Sequence, residues 1–233
     1  MEKWVIVSLI MLMGIALIGI LIFIFYWKVY QISEIGENCS IIIENEGENK
    51  IDVVFFTDGV NKNRLNEYIN FFLSSEPYIN HKNKFNFFYA GAADCKIIED
   101  FIFCYSKETL KKSSSCPNDY IIVLSNQYSK IRSSSYINLI SLNINNPPNV
   151  ILHEFGHVFA NLADEYTPST IPSGSKNCRK KCSDFNNLED CFEGCSKSNY
   201  QRSSENSLMR ISNSDEYKKL NTLLIEERLE KYG

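Results

Sequence analysis

The sequence predicts an α/β (α+β) domain with a mixed, mostly parallel sheet, preceded by one N-terminal transmembrane helix. Three observations carry this expectation. Residues 4–27 contain no charged side chain, short apolar runs then alternate with segments of helical spacing, and residues 153–157 place two histidines four apart in an apolar stretch.

The uncharged run from Trp4 to Trp27 has 24 residues. As a helix it would span about 36 Å, enough to cross a hydrocarbon core of roughly 30 Å. It is longer than the core of a signal peptide and no Ala-x-Ala-like site closes it, so an uncleaved anchor is expected. Trp4, Tyr26, Trp27 and Tyr30 stand at its ends as interfacial aromatics would. Lys3 and Lys28 balance each other, so orientation rests on the cysteines. All eight (Cys39, Cys95, Cys104, Cys116, Cys178, Cys182, Cys191 and Cys195) follow the anchor, an even number suited to disulfides formed outside the cytosol. The expected topology is single-pass, with residues 1–3 cytoplasmic and the rest extracytoplasmic. A net charge of −4 without a basic stripe argues against a nucleic-acid partner.

Residues 28–50 read as a stalk with a first strand at Ser40–Glu44, and the domain proper as residues 51–233. Its opening run, Ile51-Asp-Val-Val-Phe-Phe56, closed by Thr57-Asp58-Gly59, has the form of a buried strand. Leu65, Tyr68, Ile69 and Phe72 recur at helical spacing, which predicts a helix over 61–73. Lys84–Ala90 and Tyr120–Leu124, rich in aromatic and β-branched residues, are two more strands. Tyr136–Leu142 is expected to be an edge strand leading to the motif helix. Residues 167–207 are polar and cysteine-rich with little periodicity. Ser214 is then expected to cap a last amphipathic helix that begins Asp215-Glu216 and buries Tyr217, Leu220, Leu224 and Leu229.

Residues 153–157 read His-Glu-Phe-Gly-His. Asn145-Asn-Pro-Pro148 supplies turn residues and a first-turn proline, so a helix is expected from Pro148 to Ala160. Val150, Ile151, Leu152, Phe155, Val158 and Phe159 leave it apolar almost all round, which buries it. Histidines four apart share one helix face, the separation at which both imidazoles reach one zinc ion. Glu154 is then placed to take a proton from water at that ion. A buried structural cluster of polar groups is the bland alternative, but two histidines and a glutamate in a buried helix need partners that a metal supplies.

A catalytic zinc takes three protein ligands and keeps one open position. Asp164 and Glu165 follow closely, yet in a continuous helix Asp164 would lie about 16 Å from His153 along the axis. The chain must stop and turn back, and Asn161 tolerates the left-handed conformation that ends a helix. Asp164 is the expected third ligand and Glu165 the alternative. Otherwise both acids would only support the histidines, with the third ligand elsewhere. The one other histidine, His81, stands in a polar loop-like stretch.

His153-Glu-Phe-Gly-His157 with Leu162-Ala-Asp-Glu-Tyr166 resembles the IgA-peptidase family of zinc metallopeptidases, which are metzincin-like. Val53–Gly59, Glu76-Pro77, Phe85-Asn86, Asp119–Leu124 and Ser207–Arg210 are similar to further segments of that family, so the likeness covers most of the chain after the anchor. It implies a metzincin-like fold, zinc on His153 and His157, Glu154 as general base, and Met209 in a methionine turn beneath the metal. The metzincin spacing puts the third ligand ten residues after the first histidine, beyond a glycine. Here that position is Ala163, so the turn must be longer. The family commonly has Tyr where Val60 stands and glycines at Ala160 and Asn161.

Cys178 and Cys182, then Cys191 and Cys195, are spaced symmetrically and suit two nested disulfides, Cys178–Cys195 and Cys182–Cys191, in an insertion over 178–195. Four thiolates on a structural zinc are the rival. Cys95, Cys104 and Cys116 suit local pairing, with Cys39 taking the one left over.

Together these features lead to the expectation of a membrane-anchored extracytoplasmic zinc metalloendopeptidase acting on protein or peptide substrates. The alternative from another class is a surface binding or adhesion module that keeps the fold without catalysis.

Overall fold

The computed structural model describes residues 14, 16–23, 39–185, 190–211 and 214–233. Most of the expected span at 4–27 lies outside these residues. Residues 16–23 are helical and exposed, and among the described residues no helix is long and apolar enough to cross a membrane.

The sheet consists of β1 (Ser40–Ile43), β2 (Ile51–Asp58), β3 (Phe85–Ala92), β6 (Tyr120–Ser125), β7 (Ser134–Tyr136) and β8 (Leu139–Asn143), in the spatial order β1-β3-β2-β6-β8-β7. The four inner strands run parallel, and the outer two pair antiparallel. The mixed, mostly parallel α/β arrangement is therefore present. Parallel strands need crossovers that cover both faces, which is why β2 and β6 read as nearly continuous apolar runs. On one face Val53, Phe55, Phe87, Ile122 and Leu142 pack beneath α1 (Lys62–Ser74), α3 (Val150–Ala160) and α4 (Lys218–Leu229). On the other, Val54, Phe56, Phe88, Ile121 and Val123 pack with Ile102 and the cysteines Cys104 and Cys116.

The first of these helices begins where its sequence asks. Asn61 is its N-cap, the Asn61 Oδ1 accepting from the Arg64 amide at 3.0 Å, and Leu65, Tyr68, Ile69 and Phe72 are buried as their spacing predicts. A 3-10 segment, Tyr78–Lys84, follows and carries His81. The hairpin of β4 (Lys96–Ile98) and β5 (Phe101–Phe103), and the short helix α2 (Lys107–Ser113), complete the second face. Neither has a hydrophobic period long enough to be visible in the sequence.

Two expectations need correction. Tyr136–Leu142 is not one edge strand: Ile137, at φ 58°, turns the chain, so β7 forms the edge and β8 lies fully buried inside. The last helix does not start at Ser214. It begins at Lys218, Tyr217 is buried just ahead of it, and Asn221, Ile225 and Leu229 form its buried stripe. Leu220 and Leu224 are only partly covered. Ser214 instead closes a local turn with Glu216.

All eight cysteines are paired: Cys39–Cys116, Cys95–Cys104, Cys178–Cys195 and Cys182–Cys191. The nested pairing expected for the last four is present, so they form no thiolate zinc site. Their segment also contains a hairpin of β9 (Phe192–Cys195) and β10 (Lys197–Arg202), joined through Ser196 at φ 58°.

Candidate metal centre

The helix carrying the motif is held from below by close packing. Tyr120, Phe72 and Phe159 surround the Phe155 ring at 4.9–5.3 Å. Tyr217, itself buried, donates its hydroxyl to the Leu152 carbonyl. At Gly156 other chain segments come close. A methyl group there would stand 3.1 Å from the Met209 sulfur, 3.1 Å from the Tyr217 ring and 3.3 Å from Leu162. Met209 thus lies directly under the turn of helix that bears the histidines. It belongs to a tight turn in which the amides of Arg210 and Ile211 both donate to the Ser207 carbonyl at 3.0 Å.

The helix ends at Asn161, at φ 53° and ψ 37°, the left-handed conformation expected there. The Leu162 amide bonds back to the Gly156 carbonyl at 3.2 Å. This turn reverses the chain, and the segment Leu162–Glu165 then returns beside the helix.

It brings Asp164 to the histidines. Asp164 Oδ1 lies 3.1 Å from His153 Nε2 and 3.2 Å from His157 Nε2, and the two Nε2 atoms are 3.1 Å apart. His153 Nδ1 is 2.9 Å from the Leu208 carbonyl and His157 Nδ1 is 2.7 Å from the Leu162 carbonyl. A carbonyl only accepts, so each Nδ1 carries the hydrogen and each neutral ring turns the Nε2 lone pair toward Asp164. Asp164 Oδ1 is buried with no hydrogen-bond donor of its own.

Three lone pairs therefore converge with no proton among them, an arrangement that is repulsive unless a cation occupies the centre. Donor atoms 3.1–3.2 Å apart are close enough to share one ion at the roughly 2.0–2.2 Å bonds of zinc to nitrogen and oxygen. His153, His157 and Asp164 form a group able to hold a metal ion. Asp164 Oδ2, turned away, accepts from Ser169 Oγ at 2.8 Å, which fixes the carboxylate plane.

Without a metal, a proton takes the cation's place. Burial works against charge on His157, but the Asp164 carboxylate, the negative Glu154 nearby and the Leu162 carbonyl outweigh it and push it up to about 9. Burial also opposes ionisation of Asp164, yet the two imidazoles hold its carboxyl far below the usual range. The sign of the effect on stability follows from linkage. The His157 contribution is complete below its ordinary value of 6.5 and disappears as pH rises through about 9. Metal binding needs the deprotonated ring, so it strengthens over the same window. The metal-free protein is expected to lose several degrees of Tm between these two pH values. With excess zinc that loss should vanish, which calorimetry with and without chelator checks.

Glu165 occupies a different place. Only 1% exposed, it accepts from Ser207 Oγ at 2.5 Å, Asn221 Nδ2 at 2.9 Å and Asn177 Nδ2 at 3.2 Å. Its own amide donates to the Met209 carbonyl at 2.8 Å. Burial pushes its carboxyl up despite these donors. It ties the returning segment to the methionine turn and to α4. His81 does not join the group of His153, His157 and Asp164.

Glu154 is 7% exposed and, with His153, His157 and Asp164, lines a cleft of about 600 Å³. Edge strand β7, Tyr166, Arg132 and Arg210 also line it. Burial, with Asp164 and Glu154 close by, pushes the Tyr166 phenol up to about 12, so it is a neutral donor at ordinary pH. Ser169, Asn177, Ser207 and Asn221 are invisible to sequence reasoning. No motif or spacing marks them as a group, and only the fold shows that they support Asp164 and Glu165.

Compared with protein-family models and with curated proteins, the chain gives no match. Its own geometry carries the functional argument.

Proposed function

We propose that this protein is a zinc metalloendopeptidase of metzincin-like architecture, related to the IgA-peptidase family by the motif from His153 to Tyr166. The observation that carries this is the convergence of the lone pairs of His153, His157 and Asp164 on one point at the wall of an open cleft, with Glu154 beside it. The αL turn at Asn161 and the packing of Met209 against Gly156 support the metzincin-like reading.

Zinc held by His153, His157 and Asp164 would supply Lewis acidity toward a water and a scissile carbonyl. The chain supplies the rest. Glu154 accepts the proton of the attacking water and passes it to the leaving amine, so one carboxylate serves both as base and as acid. The carbonyls of Leu208 and Leu162 fix the imidazole tautomers, and Ser169 fixes the carboxylate, so the donors are placed before substrate arrives. An extended peptide runs along edge strand β7, which has a sheet neighbour on one side only and lines the cleft. Four disulfides suit an extracytoplasmic domain, and the uncharged run over 4–27 suits a membrane anchor.

The test is metal content with activity. Purified protein is expected to carry one zinc per chain and to cleave unfolded protein substrates, to lose both with a chelator, and to regain both with added zinc. Stoichiometric zinc without hydrolysis of any peptide would favour a binding module, and failure to take up zinc at all would remove the metal-centre basis.

A further inference from the structure

The cysteine-rich insertion has no part in the chemistry just described, yet its two outermost cysteines, Cys178 and Cys195, adjoin the residues that grip the third ligand. Asn177, next to Cys178, is completely buried. Its Oδ1 accepts from the Ala163 amide at 2.8 Å, and its Nδ2 donates to the Ala163 carbonyl at 2.9 Å, replacing both backbone partners of the residue before Asp164. Ser196, next to Cys195, is 1% exposed. Its Oγ donates to the Asp164 carbonyl at 2.6 Å, and its own carbonyl accepts from the Ser169 amide at 2.7 Å. Ser169 in turn holds Asp164 Oδ2. The Cys178–Cys195 disulfide fastens Asn177 and Ser196 to each other.

We infer that Asn177 and Ser196 are positioning residues for the metal centre, and that the disulfide-stapled insertion acts as a mould that presets Asp164 for the ion. The physical reason lies in the returning segment itself. Residues 161–165 form no helix or strand, so neither supplies a ladder to fix their backbone. Side-chain partners on the Ala163 and Asp164 backbone therefore set where the carboxylate stands, and Ser196 reaches both the Asp164 backbone and, through Ser169, its side chain. Groups that orient metal ligands in this way are typically worth about 10–100-fold in metal affinity.

This rests on the zinc site proposed above, and the experiment separates the two. Ser196 sits at φ 58°, a conformation that glycine adopts freely, so Ser196→Gly removes the hydroxyl without straining the chain. Zinc affinity is measured by chelator competition, the cobalt(II) form by its visible spectrum, and the metal-free protein by its Tm. Ser196→Gly is expected to weaken zinc by about 10-fold or more and to shift the cobalt spectrum, with the metal-free Tm close to the parent's. Asn177→Asp, which loses both amide donors, is expected to weaken zinc further. Parent-like zinc affinity in Ser196→Gly overturns the inference, as does a lowered metal-free Tm with zinc affinity unchanged, which marks a purely structural role. If the parent itself takes up no zinc, the failure lies with the metal centre and not with the mould.

Discussion

Replacing Glu154 by Gln is expected to abolish peptide hydrolysis while leaving zinc bound. Glutamine matches glutamate in shape, so the buried side chain keeps its place on α3 between the two histidines, and none of the three converging donors is touched. What disappears is, among the described residues, the only carboxylate lining the cleft apart from Asp164. An amide oxygen accepts a hydrogen bond but is far too weak a base to take a proton from water. General base and acid catalysis together contribute about 10²–10⁴-fold, and in the proposed mechanism one residue performs both steps, so kcat should fall toward the upper end of that range. KM and zinc stoichiometry should stay near parent values. The measurements are steady-state cleavage of a quenched peptide and metal content of the same preparation. Undiminished kcat in a fully zinc-loaded Glu154→Gln protein would sink the mechanism.

This residue is legible in the sequence because of the way helices repeat. His153, Glu154 and His157 lie within one turn, so their mutual placement is a local property that spacing alone determines. The Asn161 turn is readable for a related reason: one residue in the left-handed region reverses the chain, and few residue types go there willingly. Strand β2 is readable because both its faces are covered. The parts that cannot be read this way depend on contacts between distant segments. Nothing in Ser134–Asn143 announces that Ile137 folds it into two strands, since alternation continues through the turn. The late start of α4 is hidden because Tyr217 satisfies the helical pattern while its side chain is fixed by Leu152 and Tyr78. The bonds of Asn177 to Ala163 and of Ser196 to Asp164 join positions 14 and 32 residues apart in sequence, and no periodicity links them.

The choice between Asp164 and Glu165, adjacent carboxylates that sequence does not separate, leads to the other large expected effect. The returning segment turns the two carboxylates toward different partners. Asp164 Oδ1 faces two imidazoles, and Glu165 faces Ser207, Asn221 and Asn177. Asp164→Asn keeps the shape and an acceptor for Ser169 but removes the charge. An even share of the roughly 10–16 kcal/mol that a four-ligand zinc site provides corresponds to about 10²–10³-fold in affinity or more. Zinc affinity is expected to fall by that factor, and hydrolysis at low free zinc with it, while the fold survives. Glu165→Ala should do the reverse. It strips the acceptor from three buried donors, at about 1–3 kcal/mol for each one left unsatisfied, so stability should drop by several kcal/mol. The molecules that remain folded should still bind zinc. Chelator competition and denaturant unfolding on both variants resolve the pair. Zinc lost from Glu165→Ala but kept by Asp164→Asn would transfer the ligand to Glu165, and would mean that the segment after Asn161 returns one residue out of register with the one described.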